Sequence, residues 1–173
     1  QGNVDFSQVT TVNLDEYKGL GGSDPQSYRY FMNANLFHKV NIPYEHTYIP
    51  DGTESDSSKA CDDYNRLLSE TGSADIQVLG LGHDGHIGFN EPSDHFEAGT
   101  HCVDLTEQTI QANKRFFDRE EDVPRQAYTM GIGNIMSSHR ILVLVSGKDK
   151  ASILKQVVQG PVTPQVPGSI LQF

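Results

Sequence analysis

Residues 83–91, with the sequence HDGHIGFNE, contain the densest group of side chains that can move protons. In this glycine-rich segment His86 stands between two carboxylates, Asp84 and Glu91. A carboxylate next to an imidazole can hold one tautomer and stabilise the imidazolium, so the three residues are candidates for general acid–base catalysis on a small polar substrate. The alternative is a turn that carries a surface histidine, because polar loops after strands are common.

His83 and His86 also form an HxxH pair, which raises zinc binding as a second interpretation of the same segment. Asp84 and Glu91 would then supply oxygen ligands. A zinc site ordinarily shows a third ligand at a recognisable spacing, and the histidines further along the chain follow no such rule. The sequence therefore predicts no metal site.

Other candidates lie outside this segment. Asp15 follows a predicted strand and is a second candidate base, although an aspartate there commonly caps a turn or a helix. Lys148 and Lys150 stand where a helix is predicted to begin, which suits a phosphate as well as two solvated lysines. Lys114 and Arg115 lie on a predicted helix, where a polar solvated face is the alternative to a binding role.

The elements that must position these residues are indicated by hydrophobic patterning. Three short apolar runs predict buried parallel strands at residues 9–14, 76–81 and 141–145. Helical patterns follow Ser23-Asp24-Pro25 and cover residues 58–70, 106–117 and the stretch from Gly147 to Gly160-Pro161. Residues 128–132 predict a further strand with a short helix after it.

Strands that alternate with helices predict an α/β fold, with a Rossmann-like parallel sheet and helices on both faces. In such folds ligands bind beyond the carboxyl ends of the strands. We therefore expect residues 15–17, 82–92 and 146–150 at one edge of the sheet.

Length and composition indicate how many domains the chain has and which partners and locations it does not suit. The 173 residues suit one domain, and a net charge of −10 argues against nucleic acid or an anionic membrane as a partner. No apolar run approaches the ~20 residues of a membrane span, and the chain starts without a signal pattern. The two cysteines, Cys61 and Cys102, lie far apart without a CxxC pattern, which fits a reducing cytoplasm.

The segment GLGHDGHIGFNEP at residues 80–92 resembles the signature of glucosamine-6-phosphate deaminases, also called glucosamine-6-phosphate isomerases. The resemblance covers nearly the whole chain and continues through VNLDEY at residues 12–17, QSYRYFMNANLF at 26–37, TIQANKRFF at 109–117, VPRQAYTMGIG at 123–133, LVSGKDKA at 144–151 and GPVTPQVP at 160–167. It implies a Rossmann-like cytoplasmic enzyme of amino-sugar breakdown. Such an enzyme converts glucosamine 6-phosphate and water to fructose 6-phosphate and ammonia.

The resemblance also implies roles for the candidate residues. His86 would accept the proton in opening the sugar ring, helped by Asp84 and Glu91. Asp15 would then take the proton from C2 and return it to C1.

Two further positions, Arg115 and Lys150, match residues that hold the 6-phosphate in the family. The implied partner is a small sugar phosphate, with no cofactor and no metal. Members of the family occur in different assemblies, so a homo-oligomer is compatible with the resemblance.

Two other functions use a related fold. A 6-phosphogluconolactonase is expected to carry Ser-Leu-Phe-Pro after the histidine, whereas this chain has IGFNEP at residues 87–92. A non-catalytic sugar-phosphate sensor is expected to have lost an acid or base, whereas Asp15, Asp84, His86 and Glu91 are all present. Both alternatives are therefore disfavoured.

The resemblance also includes the sequence SILQ at residues 169–172. Family members ordinarily begin with an additional strand, a helix and a threonine- and glycine-rich phosphate loop, and they extend beyond the SILQ motif. This chain begins after that loop and ends shortly after SILQ. We expect residues 1–173 to be a single α/β domain that is an incomplete portion of the catalytic domain, and to be poorly active alone.

Overall fold

The structure is a computed structural model that describes residues 4–117 and 119–173. It divides into two compact units, each built from two stretches of the chain. The first unit takes in the chain up to Tyr64 together with Cys102–Tyr128, and the second takes in Asn65–His101 and Thr129–Phe173. Within the part of the chain that is described, no helix is long and apolar enough to cross a membrane.

Strands and helices alternate along the chain. In order they are β1 (Thr11–Val12), β2 (Asp15–Tyr17), α1 (Tyr28–Asn35), β3 (Thr47–Tyr48), α2 (Ser57–Thr71), β4 (Gln77–Leu79), β5 (His101–Asp104), α3 (Glu107–Asn113), β6 (Gln126–Thr129), α4 (Ile132–Met136), β7 (Ile141–Val143) and α5 (Ala151–Gln159). Short 3₁₀ turns lie at Phe37–Lys39, Tyr44–His46, Lys114–Phe116, Glu120–Asp122, Lys148–Lys150 and Pro167–Gln172.

The strands form three small sheets. β1 and β3 pair in parallel, with Thr11 opposite Thr47. β2, β6 and β5 form a three-stranded sheet in that order. β4 and β7 pair in parallel, with Val78 opposite Leu142. The predicted α/β class, with parallel strands joined through helices, is confirmed.

The strand predicted at residues 9–14 is shorter, as β1, and a second strand, β2, begins just after the predicted range, so this prediction was wrong in its extent. The Asn13 backbone between them has its own partners, because its N–H donates to the Tyr48 carbonyl at 2.9 Å and its carbonyl accepts from the Tyr64 hydroxyl at 2.7 Å. The chain thereby leaves β3 and joins the sheet of β6. As a result Asp15 opens a strand and does not follow one.

Helix α1 begins four residues after the predicted capping signal. The side chain of Ser27 accepts a hydrogen bond from the Tyr30 N–H at 3.0 Å and is the N-cap. Asp24 instead closes the preceding turn by accepting from the Gln26 N–H at 2.9 Å. Helix α2 closely matches its prediction and ends at Gly72, whose φ of 84° is the left-handed conformation that favours glycine at a helix end.

The strand predicted at residues 128–132 is β6, which begins two residues earlier, at Gln126. Ile132, the last residue of the predicted strand, is instead the first residue of the short helix α4. Strands β3 and β5 were not predicted.

In the second unit Leu79, Ile87 and Ile135 are buried almost completely. One row of apolar side chains on β4 and β7 is exposed, with Val78 at 50% and Leu142 at 49%.

Candidate active site

The loop that follows β4 brings Asp84 and His86 together in the second unit. Asp84 Oδ1 lies 2.7 Å from His86 Nδ1 and accepts the His86 backbone N–H at 3.1 Å. A carboxylate can only accept, so Nδ1 carries the proton and Nε2 is the nitrogen that can take one. Both side chains are about one-third exposed, which leaves the imidazole within reach of a small substrate. Asp84 and His86, which the sequence predicted as an acid–base pair, are therefore in direct hydrogen-bond contact.

Glycines let the loop fold back on itself beneath the imidazole. The Gly82 N–H donates to the His86 carbonyl at 2.9 Å, and the Gly85 N–H donates to the Gly82 carbonyl at 3.2 Å. Gly85 has a φ of 90°, a conformation that side chains other than glycine rarely adopt. A Cβ on Gly82 would lie 2.2 Å from two atoms of the His86 ring. The ring therefore occupies space that only glycine at position 82 leaves open.

The far end of the loop is tied to the segment after β6, within the second unit. Asn90 Nδ2 donates to the Ile87 carbonyl at 3.0 Å and to the Met130 carbonyl at 2.8 Å. The Phe89 N–H donates to the Thr129 hydroxyl at 3.1 Å. These buried contacts fix the backbone on both sides of Ile87. Glu91 comes next and is half-buried.

Two contacts connect the start of the loop with the turn before α5. Lys150 Nζ donates to the Leu81 carbonyl. His83 Nε2 lies 2.6 Å from Asp149 Oδ2, and this contact lowers the pKa of Asp149. Lys150 thus lies beside the glycine loop, as the sequence predicted. Within the described residues, no three His, Cys, Asp or Glu side chains lie close enough together to hold a metal ion.

Asp15 belongs to the first unit and opens β2, where it is half-buried. Burial, followed by the negative charge of Glu16, raises the pKa of Asp15 from 3.8 to about 7. A carboxyl with a pKa near the working pH can both take and return a proton. The second predicted base therefore has an environment suited to proton transfer.

Glu16, the next residue of β2, was not singled out from the sequence. Its side chain is 2% exposed and accepts three backbone N–H groups at 2.9 Å each, from Tyr17, Tyr28 and Arg29. The last two are the first residues of α1. The only sequence signal was its place directly after the strand predicted at residues 9–14, in a segment expected at the ligand-binding edge of the sheet.

Aromatic rings lie next to this strand. Tyr17 and Tyr28 stack with ring centroids 5.0 Å apart, and their hydroxyls are 3.3 Å apart. Phe117 meets Tyr17 edge-on at 6.4 Å. Arg115, two residues before Phe117, is exposed in the 3₁₀ turn that follows α3. Burial and then the charge of Asp15 raise the pKa of Tyr28, and both therefore favour the protonated phenol.

Comparisons with known proteins agree with the resemblance in the motifs. A sequence model of the family described as glucosamine-6-phosphate isomerases/6-phosphogluconolactonase matches residues 1–172. A glucosamine-6-phosphate deaminase of Lachnoclostridium phytofermentans is 51% identical over 173 residues, which are 100% of this chain and 73% of that protein. The Leuconostoc citreum enzyme of the same name is 52% identical over 170 residues, covering 98% of this chain and 71% of that protein.

Solved structures give the same result. A structure described as a monomeric glucosamine-6-phosphate deaminase matches with a TM-score of 0.93 at 46% identity, covering 98% of this chain and 70% of that one. The 6-phosphogluconolactonase of Thermotoga maritima matches with a TM-score of 0.74 at 20% identity, covering 94% of this chain and 68% of that one. At that low identity the second match establishes a shared fold alone.

Proposed function

This chain belongs to the family of glucosamine-6-phosphate isomerases and 6-phosphogluconolactonases, and from that premise we propose that it is a glucosamine-6-phosphate deaminase. The reaction is glucosamine 6-phosphate plus water to fructose 6-phosphate plus ammonia. The observation that carries the proposal is the Asp84–His86 pair, which presents one unprotonated imidazole nitrogen on a loop that ends in Phe89-Asn90-Glu91. Relatives about half identical over the whole chain carry the same name.

Ring opening is the first proposed step. His86 Nε2 takes the proton of the C1 hydroxyl and returns it to the ring oxygen as the C1–O bond to that oxygen breaks. Asp84 holds Nδ1–H and stabilises the imidazolium that forms in between. Glu91 is assigned the supporting role that the family resemblance implies.

Proton transfer from C2 to C1 is the second proposed step, and Asp15 performs it. Its raised pKa, near 7, allows the carboxylate to take the C2 proton and the carboxyl to return it to C1. Water then adds to C2 and ammonia leaves, which gives the ketose. Arg115 and Lys150 are the proposed ligands of the 6-phosphate, as cations on otherwise polar segments.

The test is an assay of ammonia and fructose 6-phosphate formation from glucosamine 6-phosphate. We expect His86→Gln to lower kcat by about 100-fold or more, the range of one positioned acid–base group. His83→Gln, its neighbour in the HxxH pair, is the matched control and should stay within a few-fold of the unchanged protein. Hydrolysis of 6-phosphogluconolactone without ammonia release would replace the proposal with the lactonase function.

The remaining proposals concern organisation and location. We propose one domain over residues 1–173, which predicts a single cooperative unfolding transition. A homo-oligomer of this chain is a separate proposal, since the similar solved enzyme is described as monomeric. Light scattering, which measures the molar mass in solution, distinguishes the two states. We propose a cytoplasmic location, because Cys61 and Cys102 are both unpaired.

A further inference from the structure

The carboxylate of Glu16 joins two elements of the first unit. One oxygen accepts the N–H groups of Tyr17 and Tyr28, and the other accepts the N–H of Arg29. The first N–H groups of a helix have no partner within the helix, so an anion there satisfies them and interacts favourably with the helix dipole. Glu16 therefore fixes the beginning of α1 against β2.

This contact bears directly on Asp15. Successive side chains of a strand point to opposite faces, so Glu16 and Asp15 lie on opposite sides of β2 and share one backbone. Holding the Glu16 side chain in place therefore holds the orientation of Asp15. A misplacement of about 1 Å at a reacting group can cost about 100-fold in rate.

The charged and titratable groups around Asp15 come from three elements. Glu16 and Tyr17 lie on β2, Tyr28 and the positively charged Arg29 lie on α1, and Tyr64 lies on α2. Burial and then the charge of Asp15 raise the pKa of Tyr28 and of Tyr64. Glu16 is therefore the group of negative charge among them, and that charge favours the protonated form of Asp15.

We propose that Glu16 is a positioning residue for the proton transfer at Asp15, acting through the hydrogen bonds that hold α1 against β2 and through its negative charge at the adjacent position of the strand. The inference rests on the proposed function, in which Asp15 is the base. It assigns to Glu16 a role beyond stabilising the fold. An uncharged residue of the same shape would lack the negative charge and would not perform this role.

The experiment follows the side-chain carboxyl of Asp15 by carbon NMR as a function of pH, with Asp15→Asn identifying the signal. Glu16→Gln keeps the shape and an oxygen for Tyr17 and Tyr28, but it loses the charge and turns an N–H donor toward Arg29. We expect the Asp15 midpoint to move to lower pH in this variant. We expect kcat for ammonia release to fall about tenfold or more, with KM changing little.

Ser27→Ala is the matched control, because it removes the neighbouring cap of α1 without changing any charge. It should lower the melting temperature while leaving the Asp15 midpoint unchanged. If Glu16→Gln does not fold, Glu16→Asp keeps the charge on a shorter side chain. That variant should keep the raised midpoint and lose kcat.

Two results would overturn the proposal. One is that folded Glu16→Gln has the same Asp15 midpoint as the unchanged protein, and the other is that kcat is unchanged in Glu16→Asp. The NMR titration needs no substrate. A failure of the proposed function appears separately, as ammonia release that is the same in the unchanged protein and in Asp15→Asn.

Discussion

At the scale of single residues, Asp15 makes the stability of the protein depend on pH. Its folded-state pKa, about 7, lies above its ordinary value of 3.8, so between these values the folded state holds a proton that the unfolded state has released. Stability is therefore expected to fall as pH rises from about 4 to about 7. The full shift corresponds to at most about 4 kcal/mol, and less for a side chain that is only half-buried.

Asp15→Asn should abolish ammonia release and yet make the protein more stable at pH 8 than the unchanged chain. Thermal unfolding at pH 5 and pH 8 measures this, and the gap between the two proteins should widen at the higher pH. Part of the slope will remain, because burial also raises the pKa of Glu16. Asp75→Asn, at an exposed position, is the control. Equal stability gains at both pH values would contradict this account of Asp15.

Gly82 provides a second prediction at this scale, with a matched control two residues away. A methyl group on Gly82 would overlap the His86 ring, whereas a methyl group on Gly80 would have no atom within 4 Å. Gly82→Ala should therefore displace the imidazole and lower kcat by about 100-fold, while Gly80→Ala leaves it nearly unchanged. Steady-state kinetics of the two variants, with circular dichroism to verify folding, makes the comparison. Equal activities would show that the ring position does not matter.

At the scale of elements, Asn90 ties the catalytic loop to the end of β6. Asn90→Ala removes the donor for two carbonyls, those of Ile87 and Met130, in a region where the asparagine is only 6% exposed. The expected cost is about 1–2 kcal/mol for two lost buried hydrogen bonds, because the Ile87 carbonyl still accepts the Asn90 backbone N–H at 3.1 Å. Asn35→Ala, which removes an exposed side-chain hydrogen bond to Phe31, should cost less than about 0.5 kcal/mol. Urea unfolding of both variants measures the difference.

Elements were predictable where a local pattern sets them. The run at residues 58–70 carries helical periodicity and a stop at Gly72, and α2 follows it within a residue at each end. The loop at residues 83–91 was identified because its histidine, carboxylates and glycines are adjacent in sequence. The pairing of Asp84 with His86 needs only two residues of separation.

Contacts between distant residues were not predictable. The break at Asn13 depends on Tyr64, which is 51 residues away. The role of Glu16 depends on N–H groups 12 and 13 residues later. Strand β3 has only two residues, too few for a period of two to be visible, and it exists because β1 lies beside it.

At the scale of the whole molecule, the exposed apolar row on β4 and β7 is the surface feature with the clearest consequence. Ile76, Val78, Leu142 and Leu144 are each about half exposed or more. Contiguous exposed apolar surface binds other apolar surfaces. The 173-residue chain should therefore bind a hydrophobic fluorescent dye and associate with itself as its concentration rises.

Val78→Thr combined with Leu142→Thr should reduce both effects, because the two residues face each other across the strand pair. Phe31→Gln, which changes a 57% exposed side chain on α1, is the control and should leave most dye binding in place. Dye titration and light scattering measure the two effects. Equal loss in both variants would mean that the row on β4 and β7 is not the binding surface.

The stacked rings of Tyr17 and Tyr28 give the molecule an optical property. The chain contains seven tyrosines and no tryptophan, so its intrinsic fluorescence comes from phenols alone. The charge of Asp15 acts on both stacked rings, so their emission is expected to change as Asp15 ionises. Such a change makes the stack an internal indicator of the protonation state of the base, readable without any label.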